Sequence, residues 1–524
     1  MLSAVADFAR LLGAAFTLAR RDAIVPREFA HLAPAPVRAF GALTRIGART
    51  RENGRNLRPG ERLALAFEGM SPPYVKLGQM LGTRPDIIGF EMAGDLGRLQ
   101  DRMPPFSQAE AVSEIERTFG RPLKDIFEEF SEPIAAASIA QVHRAKLKDG
   151  REAAVKILRP RIEAIAANEL RAFARAARLV ERFSKTARRL EPVSFVDTLK
   201  AAATIELDLR LEAGAASALA EDMKSMPHVR IPEVIWPLSA RRVLTTEWIA
   251  ATPIADLAAL DRAGADRRSL ARNVIQTFLT QALHKGFFHA DMHQGNLMVD
   301  AQGRLVLLDF GIMGRLDEKT RRTFAEIIHG FITRDYKRNA EVHFAAGYVP
   351  PGHSVDAFAT ALRSVGEPLF GKSADAVDMS RVLQQLFDVT ALFDMHLRPE
   401  LILLQRTMVA TEGVARALDP SINLWEAATP VVRSYIADEI GPRRQARRLR
   451  DATLKAIEIA PRLPEYVERL GEAAKAAADS GGKSTTDKSA DLARTIRREA
   501  RLTRFAVVFA GLSALAAAAA ALMR

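Results

Sequence analysis

Oxygen-bearing side chains that could hold a hard metal ion cluster in the second half of the chain. Asp291 is followed five residues later by Asn296, and Asp309 then opens an Asp-Phe-Gly tripeptide. Between them, Leu297–Val299 and Arg304–Leu308 predict a short strand pair around a turn. Mg²⁺ prefers oxygen ligands in near-octahedral order. We expect Asn296 and Asp309 to be metal ligands, and Asp291 to orient or deprotonate a phosphoryl acceptor, which could be water.

This order of residues is the metal-holding layout of protein kinases, where phosphoryl transfer from ATP depends on Mg²⁺. Two blander interpretations compete with it. Asp-Phe-Gly alone is a common turn tripeptide, and His289 and His293 at i and i+4 could suggest zinc. The flanking Asp291 and Gly295, with the short spacing to Asn296, favour a loop over the helix that such a zinc pair needs. The predicted cofactors are therefore ATP and Mg²⁺.

A predicted β-hairpin upstream carries a lysine suited to phosphate binding. The runs Gln141–Leu147 and Glu152–Leu158 are β-compatible and are joined by a Lys-Asp-Gly turn. Lys156 falls on the second strand, where a kinase places the lysine that contacts the ATP phosphates. A lone strand lysine is usually only solvated, so the prediction depends on an acidic partner.

The acidic partner is expected on a following helix. Residues 192–223 form one long helical pattern that contains Glu206, Asp208 and Glu212. At about 100° per residue, Asp208 and Glu212 share a face while Glu206 points nearly opposite Asp208. We therefore predict that Glu212 pairs with Lys156. Further along, the strand candidate 243–249 has the position of a kinase hinge, so Glu247 and Ile249 are expected to contact the nucleotide.

The segment before the lysine strand departs from an ordinary kinase. Where a glycine-rich loop is expected, the chain has Ala135, Ala136, Ala137 and Ser138. This alanine-rich loop resembles that of the UbiB family of atypical kinases, the ABC-one/aarF-domain group. Four further motifs strengthen the resemblance, which spans roughly residues 60–440: Lys76-x-Gly-Gln79, Glu206-x-Asp208, His289-x-Asp291 with Asn296, and the tripeptide at Asp309.

The resemblance implies an α+β, atypical protein-kinase-like fold with two lobes and a helical N-terminal extension over the active site. It assigns Lys76 and Gln79 a catalytic role where a protein substrate would otherwise bind, and Glu206 and Asp208 a regulatory one. It also implies a role in ubiquinone biosynthesis, with polyprenyl-phenol or quinone precursors and other biosynthetic proteins as partners. Alanine Cβ atoms block close phosphate approach, so we expect an unusual ATPase. A protein or small-molecule kinase and a non-catalytic nucleotide-binding scaffold are the alternatives.

Composition narrows the partners. The chain has 524 residues with a formal net charge of +12, which favours an anionic partner. Only 6% of residues are aromatic and no basic stretch is interleaved with aromatics, so a nucleic-acid partner is not expected. Because cysteine is absent, disulfides and thiolate chemistry are excluded. Anionic membrane lipids are the partner we expect.

The ends of the chain carry the membrane predictions. Residues 2–19 predict an amphipathic helix, and Phe505–Met523 is an uncharged run of 19 residues preceded by Arg497, Arg498, Arg501 and Arg504. Such a run just crosses a ~30 Å hydrocarbon core, although nine of its residues are alanine and a helix packed on the protein is the alternative. Positive charge before the run predicts an anchor in the bacterial inner membrane with the body facing the cytoplasm.

Six segments summarise the predicted organisation. They are a helical extension over 1–120, a kinase-like N-lobe over 121–250, a C-lobe over 251–440, a basic helical tail over 441–478, a polar linker over 479–492 and the C-terminal membrane-anchor helix over 505–523.

Overall fold

Helices dominate the described residues before position 127. This computed structural model describes residues 2–23, 51–52, 55–97 with short gaps, 103–183, 191–369 and 399–440, with a few positions between these ranges. The elements are α1 (Leu2–Ala19), β1 (Arg51–Glu52), β2 (Arg55–Asn56), α2 (Pro59–Glu68), α3 (Pro72–Leu81), α4 (Phe90–Leu96), α5 (Gln108–Phe119) and α6 (Leu123–Ile126). Proline stands in the first turn of α2 and of α3, where its fixed φ suits a helix start.

The next part of the chain forms an antiparallel sheet with helices inserted between its strands. The elements are β3 (Phe127–Ala136), β4 (Ala140–Leu147), β5 (Glu152–Leu158), α7 (Ile162–Phe183), α8 (Pro192–Glu206), α9 (Leu209–Met223), β6 (Val229–Arg230), β7 (Val243–Glu247) and β8 (Ala251–Pro253). The sheet has the strand order β3-β4-β5-β7 with every neighbouring pair antiparallel. The hairpin predicted around the Lys-Asp-Gly turn is therefore confirmed as β4–β5.

One face of this sheet is covered by α5. Ala111 and Ile115 of α5 pack against Ala153, Val155 and Ile157 of β5 in one buried cluster. Because strand side chains alternate between faces, the residues between these positions point to the other side of the sheet, and Lys156 is one of them. Helix α5 lies before residue 121, the predicted start of the N-lobe. It nevertheless belongs to the core of the sheet rather than to that of the preceding helices.

The prediction of one long helix over 192–223 is wrong. The chain forms α8 and α9 instead, with Leu207 ending the first and Asp208 capping the second. Asp208 has extended backbone angles, and its carboxylate accepts a hydrogen bond from the Arg210 N–H at 3.2 Å. An aspartate in this position stabilises a helix start more than it stabilises a continuing helix. The helical pattern in the sequence continues across the break because only Leu207 and Asp208 separate the two helices.

The remaining elements are helical with short strands between them. They are α10 (Leu257–Arg262), α11 (Arg267–Leu279), a π-helical turn (Thr280–Lys285), β9 (Phe287–His289), a 3₁₀ turn (Gln294–Asn296), β10 (Leu297–Asp300), β11 (Leu305–Leu307), β12 (Met313–Arg315), α12 (Glu318–Thr333), α13 (Tyr336–Ala346), α14 (Val355–Gly366), α15 (Pro399–Leu418) and α16 (Leu424–Tyr435). Strands β10 and β11 are the predicted pair around the turn, and β9 pairs with β12. A separate buried cluster joins α13 to α14 through Tyr336, Phe358 and their neighbours.

The last described residues, up to 440, follow α16 as a π-helical turn over Ile436–Ile440. Within the part of the chain that the structure describes, no helix is long and apolar enough to cross a membrane. The predicted tail over 441–478, the linker over 479–492 and the anchor over 505–523 all lie outside the described residues.

Candidate active site

Asp291 stands in a loop that leaves β9 and is fixed by buried His289. The His289 ring is fully buried, and its Nδ1 accepts a hydrogen bond from the Asp291 N–H at 3.1 Å. Its Nε2 therefore carries the proton and donates to the Leu308 carbonyl at 2.9 Å. Burial lowers the pKa of His289, which keeps the ring neutral. Both ring nitrogens are occupied by hydrogen bonds, so His289 holds the loop in place. It has no nitrogen left to bind zinc, which argues against the zinc alternative.

Asn296 lies at the end of the same loop and faces Asp291. Its Nδ2 donates to the Asp291 carbonyl at 3.0 Å and to Asp291 Oδ2 at 3.3 Å. The amide is thereby oriented with its nitrogen toward the loop, which leaves its oxygen as the metal-binding atom. The Leu308 N–H donates to the Asn296 carbonyl at 2.9 Å and links this loop to the residue before Asp309.

Asp291 is ionised by its neighbours. Burial would raise the pKa of Asp291, but His293 and Arg406 outweigh it and lower the pKa. His293 Nε2 lies 3.4 Å from Asp291 Oδ2, and this hydrogen bond raises the pKa of His293. Arg406 of α15 lies 4.0 Å from Asp291 Oδ1. A carboxylate held in this way can accept a hydrogen bond or a proton from an attacking hydroxyl group.

Asp309 adopts an uncommon backbone conformation that aims its side chain. Its φ is 57°, in the left-handed region, and its Oδ1 accepts a hydrogen bond from the Gly311 N–H at 3.1 Å. Phe310 turns the other way and packs edge-on against the His289 ring, with the ring centroids 5.6 Å apart. The strained position therefore separates a buried aromatic anchor from an accessible carboxylate.

Lys156, Glu212 and Asp309 meet on the open face of the sheet. Lys156 Nζ donates to the two Glu212 oxygens at 2.7 and 3.0 Å and to Asp309 Oδ2 at 3.2 Å. The predicted Lys156–Glu212 ion pair is thus present. Asp208, which was expected to share a helical face with Glu212, caps α9 instead and binds Arg210.

The three charges shift one another's titration. Burial would raise the pKa of Asp309, but the Lys156 ammonium outweighs it and lowers the pKa to about 2. Burial would lower the pKa of Lys156, yet Asp309 and Glu212 raise it above its ordinary value. Burial raises the pKa of Glu212 to about 7, and Lys156 offsets only part of this effect. The site thus holds a permanent cation beside a carboxylate that stays ionised.

The alanine-rich loop is the turn between β3 and β4. Ala135 and Ala136 pair with β4, and the Ala137 N–H donates to the Ala140 carbonyl at 2.8 Å. Ser138 in the turn is buried. The segment therefore occupies the place of a kinase phosphate loop. It forms a tight turn whose backbone is hydrogen-bonded across the hairpin.

Arg159 fixes this loop from the end of β5, and the sequence patterns did not identify it. Its guanidinium donates to the Ala137 carbonyl through Nε at 3.1 Å and through Nη2 at 2.8 Å. The same Nη2 also donates to the Pro104 carbonyl at 2.9 Å, and the guanidinium stacks over the Phe106 ring. On β4, the side-chain amide of Gln141 accepts a hydrogen bond from the Phe106 N–H and donates one to the Phe106 carbonyl. The loop is thus tied to the segment that precedes α5.

The predicted hinge lies where β7 ends. Glu247 is the last residue of β7, and its carboxylate pairs with Arg230 while its N–H donates to the Glu233 carbonyl at 2.8 Å. Trp248 then donates to the Glu152 carbonyl at 3.1 Å, and Ile249 follows in the link to β8. Because the Glu247 side chain is already paired with Arg230, any contact with adenine would come from the backbone of this link.

The Lys-x-Gly-Gln motif lies on α3 and contacts the C-terminal end of α8. Lys76 Nζ forms an ion pair with Glu206 at the end of α8. Gly78 is packed so closely that an added Cβ would lie 2.4 Å from Leu99 Cδ1, which explains why the motif needs glycine there. Gln79 is half-buried one turn beyond Lys76. The structure joins Lys76 to Glu206 and leaves Asp208 in its capping role.

The residues present fit ATP and Mg²⁺. Lys156 supplies a half-buried cation for phosphate oxygens, and Asn296 and Asp309 carry the hard oxygen atoms that Mg²⁺ prefers. The Lys156 ammonium already balances the charge of the Asp309 carboxylate, as a bound metal ion would. When bound, Mg-ATP would supply a phosphoryl group with its charge partly neutralised.

Comparisons with known proteins agree with this geometry. A family model described as the ABC1 atypical kinase-like domain matches residues 98–343, and one described as the UbiB helical domain matches residues 362–423. The solved structure of Rv3197 in complex with erythromycin, from Mycobacterium tuberculosis, gives a TM-score of 0.50 at 24% identity, covering 68% of this chain and 90% of that one. That likeness concerns the fold alone. Fold and site together define an atypical kinase-like protein.

Relatives at higher identity name the family. "Probable protein kinase UbiB" of Marinobacter nauticus is 38% identical over 413 residues, which is 78% of this chain and 76% of the relative. The protein of the same name from Aeromonas hydrophila is 38% identical over 419 residues, covering 79% and 77%. The chain belongs to the UbiB family. The resemblance seen in its motifs is therefore confirmed.

Proposed function

We propose that this chain is an ATP-dependent, kinase-like ATPase that supports ubiquinone biosynthesis at the bacterial inner membrane. The observation that carries the proposal is the convergence of Lys156, Glu212 and Asp309 within hydrogen-bond distance, with Asp291 and Asn296 in contact on the adjoining loop. Membership of the UbiB family supports the link to ubiquinone. Polyprenyl-phenol or quinone precursors, anionic lipids and the other biosynthetic proteins are the proposed partners.

Each of these residues has a defined part in the proposed reaction. Lys156 would hold phosphate oxygens, oriented by Glu212 as in kinases. Asn296 and Asp309 would hold Mg²⁺. Asp291 would orient the attacking water or hydroxyl group and take its proton as the bond to phosphorus forms and ADP departs.

Hydrolysis is preferred to protein phosphorylation because of the loop and the extension. The loop over Ala135–Ala137 carries Cβ atoms where a phosphate loop usually has none, and Arg159 fixes its carbonyl. Lys76 and Gln79 belong to the helical extension, and Lys76 is tied to Glu206. The relatives named as probable protein kinases keep a protein or small-molecule kinase as the second candidate.

Phosphate release distinguishes the two candidates. We expect Mg²⁺-dependent release from ATP that rises when anionic vesicles and a phenolic quinone precursor are added together. Asp291→Asn should remove it, while Lys337→Ala, a change at an exposed lysine on α13, should not. Transfer of labelled phosphate to a protein or to the phenol, without free phosphate, would establish the kinase alternative. Release that persists unchanged in Asp291→Asn would refute the proposed site.

A further inference from the structure

Helix α1 carries its large apolar side chains on the outside of the molecule. Val5, Phe8, Leu12 and Phe16 are 69%, 60%, 50% and 62% exposed. Their spacing of three and four residues places them on one face of the helix. A surface helix of a globular protein normally turns this face toward the core. Here it forms a continuous apolar stripe that the described part of the chain leaves uncovered.

The inward face of α1 is held by charge instead. Asp7 is fully buried, and its carboxylate lies 2.8 Å from Arg175 and 3.3 Å from Arg171, both on α7. Arg10 lies 3.5 Å from the same carboxylate. Because a buried carboxylate is costly to leave without its cations, these contacts fix the rotation of α1. The outward direction of the apolar stripe is therefore built into the fold.

The exposed charges on α1 and α7 themselves have one sign, whereas exposed Glu191 and Asp197 lie at the start of and on the neighbouring α8. On α1, on α7 and at Arg20 just beyond α1, every exposed charged side chain is an arginine: Arg20, Arg171, Arg178 and Arg182. The acidic residues of the two helices are buried or half-buried: Asp7, Glu163, Glu169 and Glu181. Leu179 and Val180 of α7 are also 51% and 44% exposed. The surface that these helices offer is therefore apolar and cationic.

We propose that α1, with the exposed end of α7, is a docking surface for an anionic lipid bilayer. Apolar side chains beside arginines are the composition of helices that lie in the membrane interface. Each basic residue near an anionic surface adds up to about 1 kcal/mol of attraction. This surface deepens the membrane part of the proposed function and is separate from the predicted anchor over 505–523.

A second copy of the chain fits the surface less well. A two-fold contact would press the same patch against itself, so the arginines of one copy would approach those of the other. The acidic residues of α1 and α7 are buried or half-buried, so they are less available to neutralise those arginines. A bilayer rich in anionic headgroups complements both the stripe and its border.

The absence of cysteine from the sequence allows a site-specific test on the full chain. A single cysteine at Phe8 (Phe8→Cys) would carry an environment-sensitive fluorophore, with Lys337→Cys as the matched label on α13. With vesicles of phosphatidylcholine and phosphatidylglycerol, we expect a blue shift and quenching by spin-labelled lipid at position 8 only. Vesicles of phosphatidylcholine alone should give a much smaller response.

Substitutions test the chemistry of the surface. Phe8→Ser combined with Phe16→Ser should weaken vesicle binding of the full chain about tenfold, and Arg178→Glu combined with Arg182→Glu should weaken it only with anionic vesicles. Leu392→Ser changes an exposed leucine elsewhere and should have no effect. ATP binding by the same variants should be unchanged, so a failure of the docking surface and a failure of the nucleotide site give separate signals.

Two results would overturn the proposal. A fluorophore at position 8 that does not respond, while the full chain sediments with the vesicles, would mean that another segment makes the membrane contact. A blue shift that appears without vesicles and grows with protein concentration would mean that a second copy covers the stripe.

Discussion

Lys156 illustrates what single residues contribute to this site. Its ammonium group is shared between Glu212 and Asp309, so one side chain links the sheet, α9 and the Asp-Phe-Gly tripeptide. The partner was predictable from residue type and spacing because the lysine of a kinase needs an acidic partner on a following helix. The geometric reason was only partly right, since Asp208 caps the start of α9 and does not lie within one continuous helix with Glu206.

Changing the two motif lysines should separate their roles. Lys156→Ala should weaken nucleotide binding by about 1.5–3 kcal/mol because a charge-assisted phosphate contact is lost. Lys76→Ala should leave the fold intact and change turnover or nucleotide preference, since Lys76 pairs with Glu206 outside the phosphate site. Calorimetric titration and steady-state kinetics measure the two effects. Equal and small changes in stability alone would mean that neither lysine serves the nucleotide.

At the scale of elements, the loop between β3 and β4 holds the least predictable part of the site. The sequence shows alanines in place of glycines, but it does not show what fixes the loop. Arg159 acts on the carbonyl of Ala137, and a main-chain acceptor leaves no trace in the pattern of side chains. The β4–β5 hairpin and the β10–β11 pair were easier to predict, because β-compatible runs and turn residues indicate them directly, whereas β3 and the order of the strands were not predicted.

Removing Arg159 tests whether it positions the loop. Arg159→Ala should lower nucleotide affinity about tenfold because the Ala137 carbonyl loses its hydrogen-bond donors. This corresponds to a loss of about 1.4 kcal/mol in binding free energy. Arg159→Lys should restore only part of the affinity, since an ammonium lacks the planar fork of a guanidinium. Arg151→Ala, at the exposed β4–β5 turn, is the matched control. Loss of stability with unchanged affinity in Arg159→Ala would show a purely structural role.

Ala137→Gly tests the steric effect of the loop. Without the Cβ, the turn gains conformational freedom and can approach phosphate groups more closely. We expect higher nucleotide affinity or the appearance of self-phosphorylation, measured by titration and by labelled-phosphate incorporation. An identical titration curve for the variant would argue against contact between position 137 and the nucleotide.

At the scale of the whole molecule, the proposed membrane attachment would combine contacts of different kinds. The proposed α1 surface is partly electrostatic and should weaken with salt, whereas a hydrophobic anchor over 505–523 should not. Full-length protein should therefore stay with the membrane after a high-salt wash. Removal of residues 492–524 should leave a body that a high-salt wash releases, that still binds ATP and that supports ubiquinone production less well in cells. Recovery of the full-length chain in the supernatant would refute the anchor.

The central claim is that Asn296 and Asp309 bind the metal of an ATP site, and Mg²⁺-dependent titration of Asp309→Asn tests it most directly. The change removes a ligand charge and one of the two carboxylate partners of Lys156 while keeping the size of the side chain. The unaltered chain should bind ATP with Mg²⁺ and lose most of its affinity when the metal is chelated. Asp309→Asn should show no Mg²⁺-dependent binding. Unchanged affinity for Mg-ATP in this variant would contradict the kinase-like assignment of the site.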